Sequence, residues 1–278
     1  GGGWGQRTAS LWNLNVGGGY NRPAFADRLL RGGPLAKSPA SWFGHANVTS
    51  DPRKQFVLSM NTNGSGDAAG GYNGSVGASV DTRPRSFLRI VVGPNISRGA
   101  NAIQYISRVA DTEATATYGA RYLFGTVKQT TFQLATRINW TFTPRLTLEV
   151  VAQPFISSGA YSDFKYFTTP RTLNFARFGL DAGSTITRDS ARVVLDADGA
   201  GPSKPITMGN PDFTLRSMRG SAVMRWEYRP GSTLFFVWQQ NRSGSTSDGT
   251  LAPGDFSRAF REPGQNVFLI KASYWLAR

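Results

Sequence analysis

The sequence predicts an all-β protein, an antiparallel transmembrane β-barrel with about twelve strands in this chain. Three observations predict it. Short runs alternate apolar and polar residues, and helical periodicity is almost absent. Tight proline turns alternate with long links rich in Gly, Ser, Asn and Asp. Aromatic residues gather toward the tight-turn ends of the runs, as an interfacial girdle would.

The clearest unit is the hairpin from Met218 to Asn241. On its first arm Met218, Gly220, Ala222, Met224, Trp226 and Tyr228 share one parity, and Arg219, Ser221, Val223, Arg225 and Glu227 share the other. Successive side chains of a strand point to opposite faces, so one face is apolar and the other charged. The turn Arg229-Pro230-Gly231-Ser232 reverses the chain, and Leu234, Phe236 and Trp238 continue the apolar face.

Taken in order, strands are expected near 8–20, 40–50, 55–63, 70–82, 86–97, 102–110, 114–124, 130–142, 146–156, 213–228, 232–242 and 266–276. Tight turns are expected at Ser50-Asp51-Pro52-Arg53, Thr82-Arg83-Pro84-Arg85, Phe142-Thr143-Pro144-Arg145 and Tyr228-Arg229-Pro230-Gly231, with a fifth at Asp111-Thr112-Glu113. The whole chain, 1–278, reads as one barrel domain with long extracellular loops near 21–39, 157–212 and 243–265. Strands 102–110 and 86–97 alternate least well. An even strand number places both chain ends on the tight-turn side, which in outer-membrane barrels is the periplasm.

Composition narrows the chemistry. Of 278 residues 40% are hydrophobic, the mean hydropathy is −0.30, and no run of about 18 apolar residues exists to form a spanning helix. There is no cysteine, which excludes disulfides and thiolate metal sites, and His45 alone cannot support a His cluster or a Ser-His-Asp triad. His45 reads as an interior residue held by hydrogen bonds. The glycine runs at 1–3 and 17–19 are not phosphate loops, because no helix and no Lys-Ser/Thr follows. No catalytic residue, metal or cofactor is expected, and the chain reads as non-enzymatic.

The net charge of +14 is spread along the strands as single arginines. The inward parity carries Arg89, Arg108, Arg121, Arg137, Arg219, Arg225 and Lys271 against Glu149, Glu227 and Asp81. These would line the lumen. They would either favour anions, since low-dielectric walls focus the field of fixed charges, or pair with one another and fill a polar interior. Glu149 and Glu227 could be imagined as an acid/base pair, but ion pairing with Arg137 or Arg225 is the plainer reading. The girdle comprises Trp140, Phe142, Trp226, Tyr228, Tyr274 and Trp275.

The 157–212 loop offers Tyr161, Asp163, Tyr166 and Phe167 as extracellular contacts, where aromatics with an acid could bind a sugar. Within it Ser190–Leu195 reads as a strand, and Asp196–Gly199, DADG, lacks the full ligand set of a calcium loop. Phe256 and Phe260 are possible anchors of the 243–265 loop. The last strand, Asn266–Leu276, alternates and ends in aromatics, the form that barrel-assembly machinery reads.

Three stretches carry a family resemblance: NPDFTLRSMRGSAVMRWEYRPGSTLFFVWQQNRS (210–243), RINWTFTPRLTLEVVAQPFISSGAYSDFK (137–165) and NVFLIKASYWL (266–276). They resemble the C-terminal barrel of a bacterial outer-membrane family of unknown function. Its longer members carry an N-terminal module resembling family-nine carbohydrate-binding domains. The resemblance implies a Gram-negative outer-membrane location, a module and earlier strands upstream of Gly1, and membership of a larger barrel. It carries no catalytic residues.

The expected function is a pore, or a membrane platform for the carbohydrate-binding module. Expected partners are outer-membrane lipid and lipopolysaccharide, the assembly machinery through the C-terminal strand, and a sugar ligand, with no nucleic acid. Two rivals stand beside it. One is the C-terminal barrel of a plugged active transporter. The other is a secreted β-sandwich that binds acidic polysaccharide or nucleic acid through its arginines.

Overall fold

The computed structural model describes residues 1–8, 10–181 and 183–276. Its strands in chain order are β1 (Gly2–Arg7), β2 (Asn13–Asn21), β3 (Ala24–Ala26), β4 (Ala36–Ser38), β5 (Ser41–Thr49), β6 (Phe56–Asp67) and β7 (Tyr72–Arg85). There follow β8 (Leu88–Ala110), β9 (Ala120–Thr143), β10 (Leu146–Phe167), β11 (Phe175–Arg177), β12 (Thr185–Arg188), β13 (Arg192–Asp196) and β14 (Ile206–Gly209). The chain closes with β15 (Phe213–Arg229), β16 (Ser232–Thr246), a five-residue helix α1 (Asp255–Ala259) and β17 (Gly264–Ser273). The protein is all-β, built on one large antiparallel sheet in the order β1-β2-β5-β6-β7-β8-β9-β10-β15-β16-β17, with β11 paired to β10. No helix among the described residues is long and apolar enough to cross a membrane, which says nothing of strands.

The cross-strand register joins the alternating runs into two continuous faces. Leu148 lies opposite Met224 and Trp140, Val150 opposite Ala222 and Ile138, and Met224 opposite Phe236. Directly opposed residues share a face, so the apolar parity of each strand meets the apolar parity of the next. The same alignment runs through Ile96 and Val76 on β8 and β7, Leu58 and Val80 on β6 and β7, and Val48 and Leu14 on β5 and β2. The other face is polar, and it is the concave one. A single cavity is lined by Asn21 on β2 and by Gln129 and Thr131 on β9, which requires the six strands between and including them to curl around it.

Tight turns collect at one end of the sheet. Pro230 and Gly231 join β15 to β16, with Gly231 at φ 76°, as the third position of a type II turn requires. In the turn after β5 the Arg53 guanidinium bonds Asp51 at 3.0 and 3.1 Å and holds its carboxyl down at about 2. The opposite end carries the long connections, apart from the short turn between β6 and β7.

Several expectations change. Runs 86–97 and 102–110 are one strand, β8, and β9 joins the 130–142 run to residues 120–124 of the expected 114–124 run, whose first residues form a turn with a short 3-10 helix at Thr115–Thr117. The Gly, Ser and Asn residues between them keep the ladder going, and bulges at Asn101/Gln104 and Tyr105/Ser107 absorb the irregularity. Consequently the 111–119 turn sits at the long-connection end. A strand also precedes the expected first one, because Gly2–Arg7 pairs with Asn13–Gly18 despite its glycines. The sheet path therefore has eleven strands, an odd number, so Gly2 lies at the long-connection end and Ser273 at the tight-turn end. The even-number argument that placed both described ends together fails.

Strands β8, β9 and β10 have 23, 24 and 22 residues, about twice the 9–11 that a tilted strand needs to cross a bilayer. Their outer halves stand clear of the rest of the sheet and carry a packed cap. One cluster gathers Leu123, Phe164, Tyr166, Phe178, Val193 and Leu195 with the small sheet β12-β13-β14. The other gathers Leu30, Ala36, Ala120, Tyr122, Phe124 and Phe167 beneath the β3-β4 hairpin. Backbone bonds from Lys37 to Thr172 and from Arg171 to Leu35 tie the two connections together.

Candidate functional site on the concave face

The concave face takes its character from the polar parity of each strand. The register places Arg89, Arg137, Glu149, Arg219, Arg225, Glu227 and Lys271 there together with Asp81. Arg89 makes a forked pair with Asp81, Nε to Oδ1 at 3.0 Å and Nη2 to Oδ2 at 2.6 Å. Arg137 lies 3.7 Å from Glu149 and Arg225 3.8 Å from Glu227, each pair partly exposed. Glu149 and Glu227 thus face cations rather than each other, and Glu227 also accepts the Gly231 N–H at 3.1 Å. Among the described residues Arg219 and Lys271 have no carboxylate within 4.0 Å. His45 bonds Asn15 at 3.1 Å and lies across Gly17, as an interior histidine should.

Arg108 falls on the opposite face, and Arg121, which keeps the parity of Arg137, is covered by the cap. Both lie on the outer halves of β8 and β9, beyond the bulges, and stand on opposite faces there. Arg121 is buried in the cap, paired with Asp111, bonded to Ser203 at 3.0 Å and stacked 4.6 Å over Tyr166. Arg108 is exposed on the outer half of β8.

The six aromatics do gather at the tight-turn end. Trp140 stacks on Phe142 at 4.6 Å, and Trp226 meets Tyr228 edge-on at 6.2 Å. The Tyr228 hydroxyl donates to the Ser273 carbonyl. The Arg229 guanidinium donates to the Tyr274 hydroxyl at 3.2 Å, and Trp275 covers the Gly231 turn.

The expected loop contacts are corrected. Tyr161, Asp163, Tyr166 and Phe167 belong to β10, not to a loop. Tyr166 and Phe167 are core residues of the cap, 9% and 1% exposed, and cannot greet a ligand. Asp163 sits at a bulge with φ 49° and pairs with Lys165 at 2.7 Å and Arg177 at 3.3 Å. The segment Arg192–Asp196 is a strand, close to the expected one, and Asp196 of DADG accepts the N–H groups of Asp198 and Gly199 in a tight turn. Phe256 anchors α1 by meeting Phe132 at 5.8 Å on the apolar face, while Phe260 packs on Phe256. There Arg216, buried, bonds Glu262 at 2.6 Å and Asp255 at 3.4 Å. Among the described residues no cluster of His, Cys, Asp or Glu could hold a metal.

The cavity of about 620 Å³ at the long-connection end was not foreseen. It brings together Asn21, Phe43, Asn73, Asn101 and Gln129 from five strands. The signal in the sequence was a repeated asparagine on the polar parity, which is unremarkable one strand at a time.

A family model described as a domain of unknown function (DUF5916) matches residues 7–277. The chain belongs to this family. No curated protein matches this DUF5916 chain. Among solved structures it is similar to one titled copper transporter OprC, at 9% identity and a TM-score of 0.48. The alignment covers 94% of the DUF5916 chain and 37% of the other, so the chain spans little more than a third of that protein's length.

Proposed function

We propose that this DUF5916 chain is a sector of an outer-membrane β-barrel wall. It is non-enzymatic, and its concave polar face borders water, as the wall of a pore or the support of a membrane platform. One observation carries this reading: the apolar face continues from strand to strand across the sheet and is exposed outside the patch that α1 covers at Phe132, Ile156 and Met218. Trp42, Leu58, Met60, Val76, Ile96 and Phe268 on it are 45% exposed or more. Soluble monomers rarely expose an apolar patch larger than a few hundred Å², whereas lipid covers such a face at no cost.

The free edges support the same reading and extend it. Neither β1 nor β17 pairs along its outer side among the described residues. In hydrocarbon an unpaired edge would cost several kcal/mol per orphaned backbone group, so both edges must find strand partners for the wall to close. The outer-face residues of β17, Phe268, Ile270 and Ala272, face lipid, and this strand is what assembly machinery would read. Lipid and lipopolysaccharide are the partners of the outer face. The test is fractionation of the full-length protein. It should stay with membranes through a urea wash and, once extracted in detergent, run faster on SDS gels unboiled than boiled. A monomeric protein soluble without detergent would sink the proposal.

A further inference from the structure

We infer that the cavity at the long-connection end of the concave face is a binding site for an uncharged, polyhydroxylated ligand, a neutral saccharide seated on the ring of Phe43. This rests on the concave face bordering water. Volume is the first argument. About 620 Å³ falls within the roughly 300–1,000 Å³ of small-molecule sites.

The lining is the second. Asn21, Ser41, Asn73, Ser97 and Gln129 supply amides and hydroxyls, and no lysine or arginine lines the cavity. The one carboxylate, Asp67, already accepts the N–H groups of Ala69 and Gly71 through Oδ1. The basic residues of this face, Arg137, Arg219, Arg225 and Lys271, are not among the lining residues. An anion would find no counter-charge here, and an apolar ligand would strip water from amides without replacing their hydrogen bonds. Hydroxyl groups donate and accept, as amides do. Two amides are preset for this: Asn21 donates to Ser41 Oγ at 3.1 Å and Gln129 to Ser157 Oγ at 2.9 Å, so each has its carbonyl oxygen left to accept.

The platform is the third. Phe43 opposes Gly19 across β5 and β2, and its ring lies against that glycine. A Cβ at Gly19 would come within 2.8 Å of two ring carbons. The ring is therefore held against backbone on one side, and Phe43, 46% exposed, lines the cavity. An apolar ring face amid amides suits the C–H face of a pyranose.

The test uses the full-length protein in detergent micelles and isothermal titration calorimetry. The probes are maltotetraose and cellotetraose, with tetragalacturonate as the charged counterpart. At least one neutral probe should bind saturably and at least tenfold more tightly than tetragalacturonate. Phe43→Ala should weaken it at least tenfold and Phe43→Tyr should retain it. Should Phe43→Ala fail to fold, Asn73→Leu should give a loss of at least fivefold. The inference is overturned by the absence of saturable binding, by tighter binding of tetragalacturonate, or by an unchanged affinity in the folded Phe43→Ala or Asn73→Leu variant. A membrane-embedded protein that ignores both neutral probes loses this inference alone. A soluble protein that binds one loses the barrel and keeps the site.

Discussion

Arg121 shows what one residue's sequence context can and cannot say. Its parity matched that of Arg137 on the same strand, and the register keeps it, yet Arg121 is buried while Arg89, Arg137 and Arg225 stay partly exposed. The extra residues of the bulges lie in β8 and β10, not in β9, so Arg121 keeps the parity of Arg137 and is removed from water by the cap that buries it, whereas the β10 bulge moves Tyr166 and Phe167 to the opposite faces. Residues on the tight-turn side of the bulges were legible; those beyond were not. Buried Arg121 compensates Asp111, and each side chain is only 10% exposed. Burial pushes the Asp111 carboxyl up, but the Arg121 guanidinium and the Glu113 N–H outweigh it and hold the carboxyl below its ordinary value. A carboxyl lowered in the folded state stabilises it above the ordinary carboxylate pKa, and that stability is lost as pH falls through the lowered value. Arg121→Met should therefore destabilise the cap by about 3–5 kcal/mol at neutral pH, because it strands a buried charge. Hydrogen exchange of the β13 amides reads the change. Asp111→Asn paired with Arg121→Met should remove most of the acid dependence of that exchange; an acid profile like the wild type's would dismiss the pair as the cause.

At the scale of the strand, alternation was the most legible feature, because a one-residue slip would turn a whole strand inside out. The runs that made β2, β7, β10, β15, β16 and β17 were visible as alternating apolar residues between turns, and their registers put those residues on one face. Strand ends were less legible. Nothing local in Gly125–Thr130 distinguishes a link from a continuing ladder, and the pairing of Ser97 with Thr131 through Asn101 with Val127 decides it. Adjacent residues on β15 test the two faces. Ala222 opposes Val150 and Trp238 on the apolar face, whereas Ser221 opposes Val151 and Gln239 on the polar one. Ala222→Arg should cost about 2–4 kcal/mol in lipid, the charge facing hydrocarbon near mid-strand, and Ser221→Arg should cost under about 1 kcal/mol. Urea unfolding in phospholipid vesicles, followed by tryptophan fluorescence, compares them. Equal losses would remove the distinction between lipid and water that the proposed wall requires.

Across the whole molecule the concave face divides by charge. From β2 to β7 it is mostly amide and hydroxyl, with His45 and the Phe43 ring among them and Asp81 the acid nearest the tight-turn end, already clamped by Arg89. From β9 to β17 it carries Arg137, Arg219, Arg225 and Lys271 against Glu149 and Glu227. Both carboxylates lie near cations, at 3.7 and 3.8 Å, so the surplus rests on Arg219 and Lys271. That division was invisible in a net charge of +14, because the sum does not say which face each arginine takes. In a closed wall such a surplus lies along one side of the passage, and low-dielectric walls concentrate its field on passing ions. The full-length protein in a planar bilayer should then pass anions in preference to cations. Arg219→Gln with Lys271→Gln should lower the anion-to-cation permeability ratio severalfold, and the effect should shrink as salt rises toward 1 M, where the Debye length falls to about 3 Å. Arg137→Gln with Glu149→Gln removes a pair without changing the net charge and should leave the ratio nearly where it was. If the Arg219/Lys271 variant kept the wild-type ratio at low salt, these cations would be structural fittings of the wall. If the wild type showed no conductance at all, the concave face would support a platform rather than a pore.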